Sequence, residues 1–324
     1  MAQNMRAVGY RTAGAPGVLE DLELPAPEPG PRDLLVRVEA VSVNPADVKL
    51  RASADPGPRP RVLGFDAAGT VEAVGAEVTL FAPGDAVYYA GSIDRPGSNQ
   101  QLHLVDERIA GRKPSSLGFP EAAALPLTTI TAWETLFDRF RLGPDSTGTL
   151  LVLGAAGGVG SMVVQLARAL TKLHVVGTAS RPESRTWALE LGAHEVVGHD
   201  ELPHGVDFVF SPFTAGQIER YAEILRPGGE ITAIDEPPGL DLLPLKSKSI
   251  TFHWELMFTR PLFQTADMVV QHELLNRAAD LVDAGTLRAT LAANLGPIDA
   301  AGLRKAHEMV EDGHMVGKVV LSGF

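Results

Sequence analysis

The run Thr149-Leu150-Leu151-Val152-Leu153-Gly154-Ala155-Ala156-Gly157-Gly158-Val159-Gly160 constrains this chain more than any other stretch. Leu150 to Leu153 is a short unbroken apolar segment, the pattern of a central parallel strand buried on both faces. Gly157, Gly158 and Gly160 let the backbone turn tightly and bring it close to a bound group with no Cβ in the way. Ser161 to Leu170 then supplies a helix whose unsatisfied N-terminal N–H groups and dipole favour an anion. Strand, glycine turn and helix in this order form the pyrophosphate corner of a dinucleotide site, with Ala155, Gly157, Gly158, Val159 and Gly160 as the expected contacts. The G-x-G-x-x-G pattern is met with alanine at its first position, as Ala155-x-Gly157-x-x-Gly160. Leu150 to Val164 also scores as an apolar span. It falls short of the roughly 20 residues a membrane crossing needs, and its four glycines weaken a helix.

The nature of the dinucleotide follows from the end of the next strand, Leu173 to Thr178. About 20 residues past the last glycine, an NAD site carries an acid against the ribose 2′-hydroxyl. Ser180 and Arg181 stand there instead, and a hydroxyl with a guanidinium suits a 2′-phosphate. The expected cofactor is therefore NADPH, unless Arg181 is simply a solvated surface arginine. Glu183 follows Pro182 in the first turn of the next helix, where acids are favoured anyway.

The chain has 324 residues, enough for two domains, and no cysteine, which excludes disulfides, thiol chemistry and cysteine-ligated metals. A net charge of −12 argues against nucleic-acid or anionic-membrane partners. Met1 to Gly14 lacks the apolar core of a signal peptide, so a cytoplasmic location is expected. The first 120 residues carry strand-like segments, among them Leu34–Val41, Gly69–Gly75 and Asp85–Tyr89, cut by turns such as Pro83-Gly84-Asp85. Beyond them strands and helices alternate: strand 150–153, helix 158–170, strand 173–178, helix 182–191, strands 195–198 and 206–210, helix 215–225, strand 229–234. Such alternation predicts a doubly wound parallel sheet. A helix near 268–284 and a final strand, Lys318–Leu321, close the chain; that strand is expected to return to the first domain.

With these segments in place the chain resembles the medium-chain dehydrogenase/reductase superfamily. The likeness rests on Asn44-Pro45-Ala46-Asp47, on Gly64-Phe65-Asp66-Ala67-Ala68-Gly69-Thr70-Val71-Glu72-Ala73-Val74-Gly75, on Pro83-Gly84-Asp85-Ala86-Val87, on Ala122 to Ala132 and on the glycine turn. It implies an α/β protein with a GroES-like β-rich catalytic domain (1–122 plus 286–324) and a Rossmann NADPH-binding domain (123–285). In the zinc-dependent branch a cysteine, a histidine and a third ligand hold the metal. Here Asn44, Phe65 and Leu125-Pro126-Leu127 occupy those places. The chain is thus similar to the zinc-independent quinone oxidoreductase and enone reductase branch, with no metal site expected.

The resemblance further implies NADPH-dependent reduction of quinones or α,β-unsaturated carbonyls by direct hydride transfer in a homodimer. A broader carbonyl or alcohol oxidoreductase and a nucleotide-binding redox sensor remain alternatives. Asn44, donating its amide to a substrate carbonyl, and Lys49 are the expected catalytic residues. Asn44 could equally fix its own turn before Pro45, and Lys49 could be a surface lysine. Asp47 fits better as an orienting or capping group than as an acid. Thr128 and Thr131 match positions lining the nicotinamide, or else form a half-buried helix start. Lys318 matches a basic residue reaching the pyrophosphate, or is an edge-strand lysine. In Phe252 to Arg260, which the resemblance makes the last strand of the nucleotide sheet and a subunit contact, His253 fits better as a hydrogen-bonded residue than as a general acid.

Overall fold

The computed structural model describes residues 4–324, so the first three residues of the Met1–Gly14 stretch lie outside it. The chain forms two compact units, residues up to Leu127 with Phe258–Phe324, and Thr128–Met257.

The first unit is built on a seven-stranded sheet. Its strands run Leu291–Asn294, Lys318–Ser322, Asp33–Ser42, Asp66–Val74, Ala86–Tyr89 and Ala110–Arg112, with Leu102–Asp106 also paired to Asp33–Ser42. Alternation along Asp33–Ser42 sends Leu34, Val36, Val38 and Val41 into a core shared with Val71, Val87, Val319 and Leu321. Burial of each such side chain is worth about 1.5–3 kcal/mol. The final strand does return here: it runs antiparallel to Asp33–Ser42 with Val320 opposite Ser42 and Leu321 opposite Val41. A second sheet orders Glu20–Pro25, Asn4–Tyr10 and Arg61–Val62.

Residues 258–285 correct the expected domain boundary. They belong to the β-rich unit, not to the nucleotide domain. Helix Val270–Asp283 buries Leu274, Leu275, Ala278 and Ala279 there. Gly111 lets the helix approach, since a Cβ at that position would lie 2.5 Å from Leu275 Cβ. The Tyr88 hydroxyl donates to the Leu275 carbonyl at 2.7 Å, and Asp283 accepts from the hydroxyls of Ser115 and Ser116 at 2.9 and 2.8 Å. The helix also differs from expectation at its start, which lies at Val270.

The second unit carries a six-stranded, all-parallel sheet in the order Glu195–Val197, His174–Thr178, Thr149–Val152, Val206–Ser211, Leu225–Ala233, Thr251–Trp254. Helices Gly158–Leu170, Pro182–Glu190 and Ile218–Ile224 connect the strands, and Leu151, Val176, Val209 and Ile231 meet in the core. Strand order reverses direction at Thr149–Val152, and the glycine turn leaves that strand at its C-terminal end. Among the described residues no helix is long and apolar enough to cross a membrane.

Candidate active site

The glycine turn of the second unit follows the strand as expected. Gly154 takes φ +66°, in the left-handed region that favours glycine. Its N–H donates to Thr178 Oγ1 at 3.0 Å, and Ala155 N–H donates to the Thr178 carbonyl at 3.2 Å. Gly157 is the N-cap of helix Gly158–Leu170. The first-turn N–H groups of Gly158, Val159 and Gly160 have no intrahelical acceptor, and Gly157 to Val159 are half-buried. A Cβ on Gly160 would sit 2.3 Å from the Gly154 carbonyl oxygen, so only glycine fits that position. Gly177, which sequence reasoning passed over, does the same for the next strand: its Cβ would meet Ala155 Cβ at 2.7 Å. The cradle is made of backbone, with its width held open by absent side chains. A pyrophosphate fits such donors.

At the end of strand His174–Thr178, Ser180 is exposed and Arg181 half-buried. The Arg181 guanidinium reaches Ser184 Oγ at 3.3 Å and the Glu183 carboxylate at 3.3 Å. Thr128 and Thr131 lie buried on helix Pro126–Trp133. That helix widens into a π-turn over Glu134–Arg139, where Phe140 N–H donates to the Thr135 carbonyl five residues back. The π-turn carries a feature that sequence reasoning missed. Glu134 is buried and hydrogen-bonds Glu255, whose Oε2 accepts from Arg139 Nε at 2.7 Å. Burial and the neighbouring Glu134 push the Glu255 carboxyl well above the ordinary glutamate range, so the pair holds a proton at neutral pH. His253 bonds Glu230 through Nε2 at 2.7 Å on the edge strand Thr251–Trp254.

In the first unit the chain after Asn44 forms a helix, Pro45–Ser53, inside a region expected to be β-rich. Its start signals are local: Asn44 as N-cap, Pro45 at the first turn and Asp47 three residues on. Asp47 Oδ2 accepts from Asn44 N–H at 2.9 Å and Oδ1 accepts from Gly64 N–H at 2.9 Å. Asp47 thus caps the helix and ties it to Gly64, whose φ is +101°. Burial pushes the Asp47 carboxyl up to about 7, against the pull of these two donors and of Lys318. Lys49 lies exposed on the same helix.

Beside the cap sits a closed polar cluster. Asn44, Asp66 and Lys318 are 1 %, 0 % and 4 % exposed, so nothing here is paid for by water. Asp66 Oδ2 accepts from Asn44 Nδ2 at 2.9 Å and from Lys318 Nζ at 3.1 Å, while Oδ1 accepts from Leu127 N–H at 2.7 Å. Lys318 Nζ also donates to the Val43 carbonyl at 3.1 Å and to Asn44 Oδ1. The second Asn44 amide hydrogen faces the Ser42 carbonyl at a long 3.4 Å. Phe65, next in sequence to Asp66, packs its ring against Phe258 with centroids 4.8 Å apart and the planes tilted by 57°. The structure therefore brings Asn44 and Lys318 together, though sequence reasoning assigned one to substrate and the other to cofactor.

These donors do not suit a catalytic zinc. The metal needs three nitrogen, sulfur or carboxylate ligands; here Asp66 is neutralised by an ammonium, its neighbours are an amide and a phenyl ring, and the chain has no cysteine. Among the described residues no group of three or more His, Asp or Glu could hold a metal ion.

A β-rich unit with this cluster and a parallel-sheet unit with a glycine cradle define a nicotinamide-dependent oxidoreductase. The chain matches the alcohol dehydrogenase GroES-like domain over residues 30–131 and the zinc-binding dehydrogenase family over residues 191–321. It is 36% identical to a zinc-type alcohol dehydrogenase-like protein of Staphylococcus epidermidis over 337 aligned residues, covering 98% of this chain and 99% of that protein. A solved structure from Rhizobium etli, assigned by name to the zinc-dependent alcohol dehydrogenases, superposes with a TM-score of 0.96 at 49% identity, covering 100% of this chain and 99% of the other. The Escherichia coli quinone oxidoreductase complexed with NADPH superposes with a TM-score of 0.83 at 25% identity, over 98% and 99% of the two chains. The chain belongs to the medium-chain dehydrogenase/reductase superfamily.

Proposed function

We propose that this protein is an NADPH-dependent reductase of quinones or α,β-unsaturated carbonyls that works without zinc. The observation that carries this is the Lys318 ammonium held by Asp66 and Asn44, which fills the family's metal region with a protein cation. Bound NADPH supplies a hydride to an electron-poor carbon. Ala155, Gly157, Gly158, Val159 and Gly160 would hold its pyrophosphate, Ser180 and Arg181 its 2′-phosphate, and Thr128 and Thr131 its nicotinamide end. The NADPH-bound quinone oxidoreductase of the same fold supports that cofactor and acceptor.

Without a Lewis acid nothing lowers an alcohol's pKa, so alcohol oxidation is disfavoured. An enone or quinone is already polarised and needs only charge stabilisation at its oxygen. Asn44 supplies that donor through the amide hydrogen now facing the Ser42 carbonyl at 3.4 Å, the loosest bond of the cluster. Lys49, exposed on the same helix, carries an ammonium proton for the resulting enolate. A homodimer in the cytoplasm completes this proposal.

The test is NADPH oxidation by chelator-treated protein against open-chain enals and para-quinones, with NADH in parallel. Turnover that survives the chelator, with a tenfold or greater preference for NADPH, agrees with the proposal. A requirement for stoichiometric zinc, or a preference for NADH, overturns the corresponding part. Tight NADPH binding with neither acceptor reduced would point to a redox sensor instead.

A further inference from the structure

We propose that Lys318 is a positioning residue that takes the metal's electrostatic place and fixes the direction in which Asn44 offers its amide hydrogen. This role rests on the metal-free reduction proposed above. The geometry begins in the backbone. Antiparallel pairing puts Val320 opposite Ser42, and the same register carried two residues further puts Lys318 opposite Asn44. Val43 N–H donating to the Val319 carbonyl at 3.3 Å continues the ladder to that point. The lysine thus reaches Asn44 by sheet register, from the far end of the chain.

An ammonium has three donors and no acceptor. All three are spent, on the Val43 carbonyl, Asp66 Oδ2 and Asn44 Oδ1. None remains for a phosphate, which removes the expected pyrophosphate contact unless the cluster is dismantled. The same three bonds decide the Asn44 amide. A flip would set its NH2 group against the ammonium and its oxygen against the Asp66 carboxylate, two repulsive contacts in place of two attractive ones. The amide is therefore locked with oxygen toward Lys318 and nitrogen toward Asp66. A cation on the amide oxygen also withdraws electron density and strengthens the remaining N–H as a donor. The Lys318–Asp66 pair offsets its own charges, so the locked amide does not face an unpaired cation.

Removing Lys318 alone strands the Asp66 carboxylate and risks misfolding, so the decisive variant is the double substitution Lys318→Met with Asp66→Asn. Both charges disappear and the neighbours keep their size. The double variant is expected to unfold cooperatively and to bind NADPH as the parent does, while kcat for an open-chain enal falls about 100-fold through loss of alignment. Unchanged kcat would overturn the proposal. So would roughly tenfold weaker NADPH binding with kcat retained, the signature of a pyrophosphate contact. A second readout needs no substrate. The Asn44 Nδ2 protons should exchange slowly with solvent deuterium in the NADPH-bound parent and rapidly in the double variant. Rapid exchange already in the parent overturns the lock. Slow exchange in a parent that reduces neither enals nor quinones would leave the lock standing and reject the reductase.

Discussion

Each unit buries a carboxylate site, and the two are balanced in opposite ways. In the β-rich unit Asp66 meets a full cation, Lys318, and two further polar partners, Asn44 and the Leu127 N–H, complete the shell. In the parallel-sheet unit two carboxyls, Glu134 and Glu255, lie together, Glu255 bonds the Arg139 guanidinium, and among the described residues its Oε1 has no partner. At the second site burial and the neighbouring Glu134 hold the Glu255 carboxyl well above the ordinary glutamate range, and Arg139 only partly offsets them. At the first the fold supplies Asp66 with a buried ammonium instead.

The largest test of this contrast is Lys318→Met. It should destabilise the protein by about 3–5 kcal/mol, because it leaves an uncompensated buried charge. Adding Asp66→Asn should recover most of that loss in urea unfolding, a coupling that two independent sites would not show. A loss below about 1 kcal/mol for the single variant would place Asp66 among solvated pairs and dissolve the contrast.

Much of the architecture was legible along the chain because its determinants are local. Strand, turn and helix of the glycine cradle lie within Thr149 to Leu170, and the cap Asn44, Pro45, Asp47 is equally compact. The helix it starts was hidden only by its strand-rich surroundings. Lys318, by contrast, meets Asp66 and Asn44 across 252 and 274 residues, and no periodicity encodes such a meeting. The partnership of Glu134 with Glu255 is likewise set by tertiary packing. Residues 258–285 fell on the wrong side of the expected boundary for the same reason, since only Gly111 and the Tyr88 hydroxyl reveal where that helix docks.

His307 sharpens the contrast by adding a group that has neither cation partner nor proton. It is fully buried, both ring nitrogens lack partners among the described residues, and burial with nearby Arg51 pulls it down to about 3. The unfolded chain takes up a proton near pH 6.5 and the folded one does not, so stability is lost as pH falls from about 6.5 toward 3. Each pH unit in that window costs about 1.4 kcal/mol for such a group. His307→Leu should abolish this share of the acid loss while conserving apolar volume, so its advantage over the parent should grow between pH 7 and 5.5. An advantage independent of pH would mean that His307 titrates alike in the folded and unfolded chain.

The smallest effect is expected at the proton-sharing pair. Glu255→Gln replaces a protonated carboxyl by an amide of the same shape, and in acid, below the unfolded glutamate value, stability should change by no more than about 1 kcal/mol. Its pH dependence carries the information. A carboxyl raised by burial stabilises most below its unfolded value, near 4.3, and that contribution is lost as pH rises toward the folded value. The parent should therefore weaken from neutral to alkaline pH relative to Glu255→Gln, the reverse of the His307 window. Thermal unfolding of the two proteins at pH 6, 7.5 and 9 measures the difference. Parallel curves would show that Glu255 is not raised in the folded protein. A widening gap would show that Glu255 keeps its proton in the folded chain after the unfolded chain has lost it.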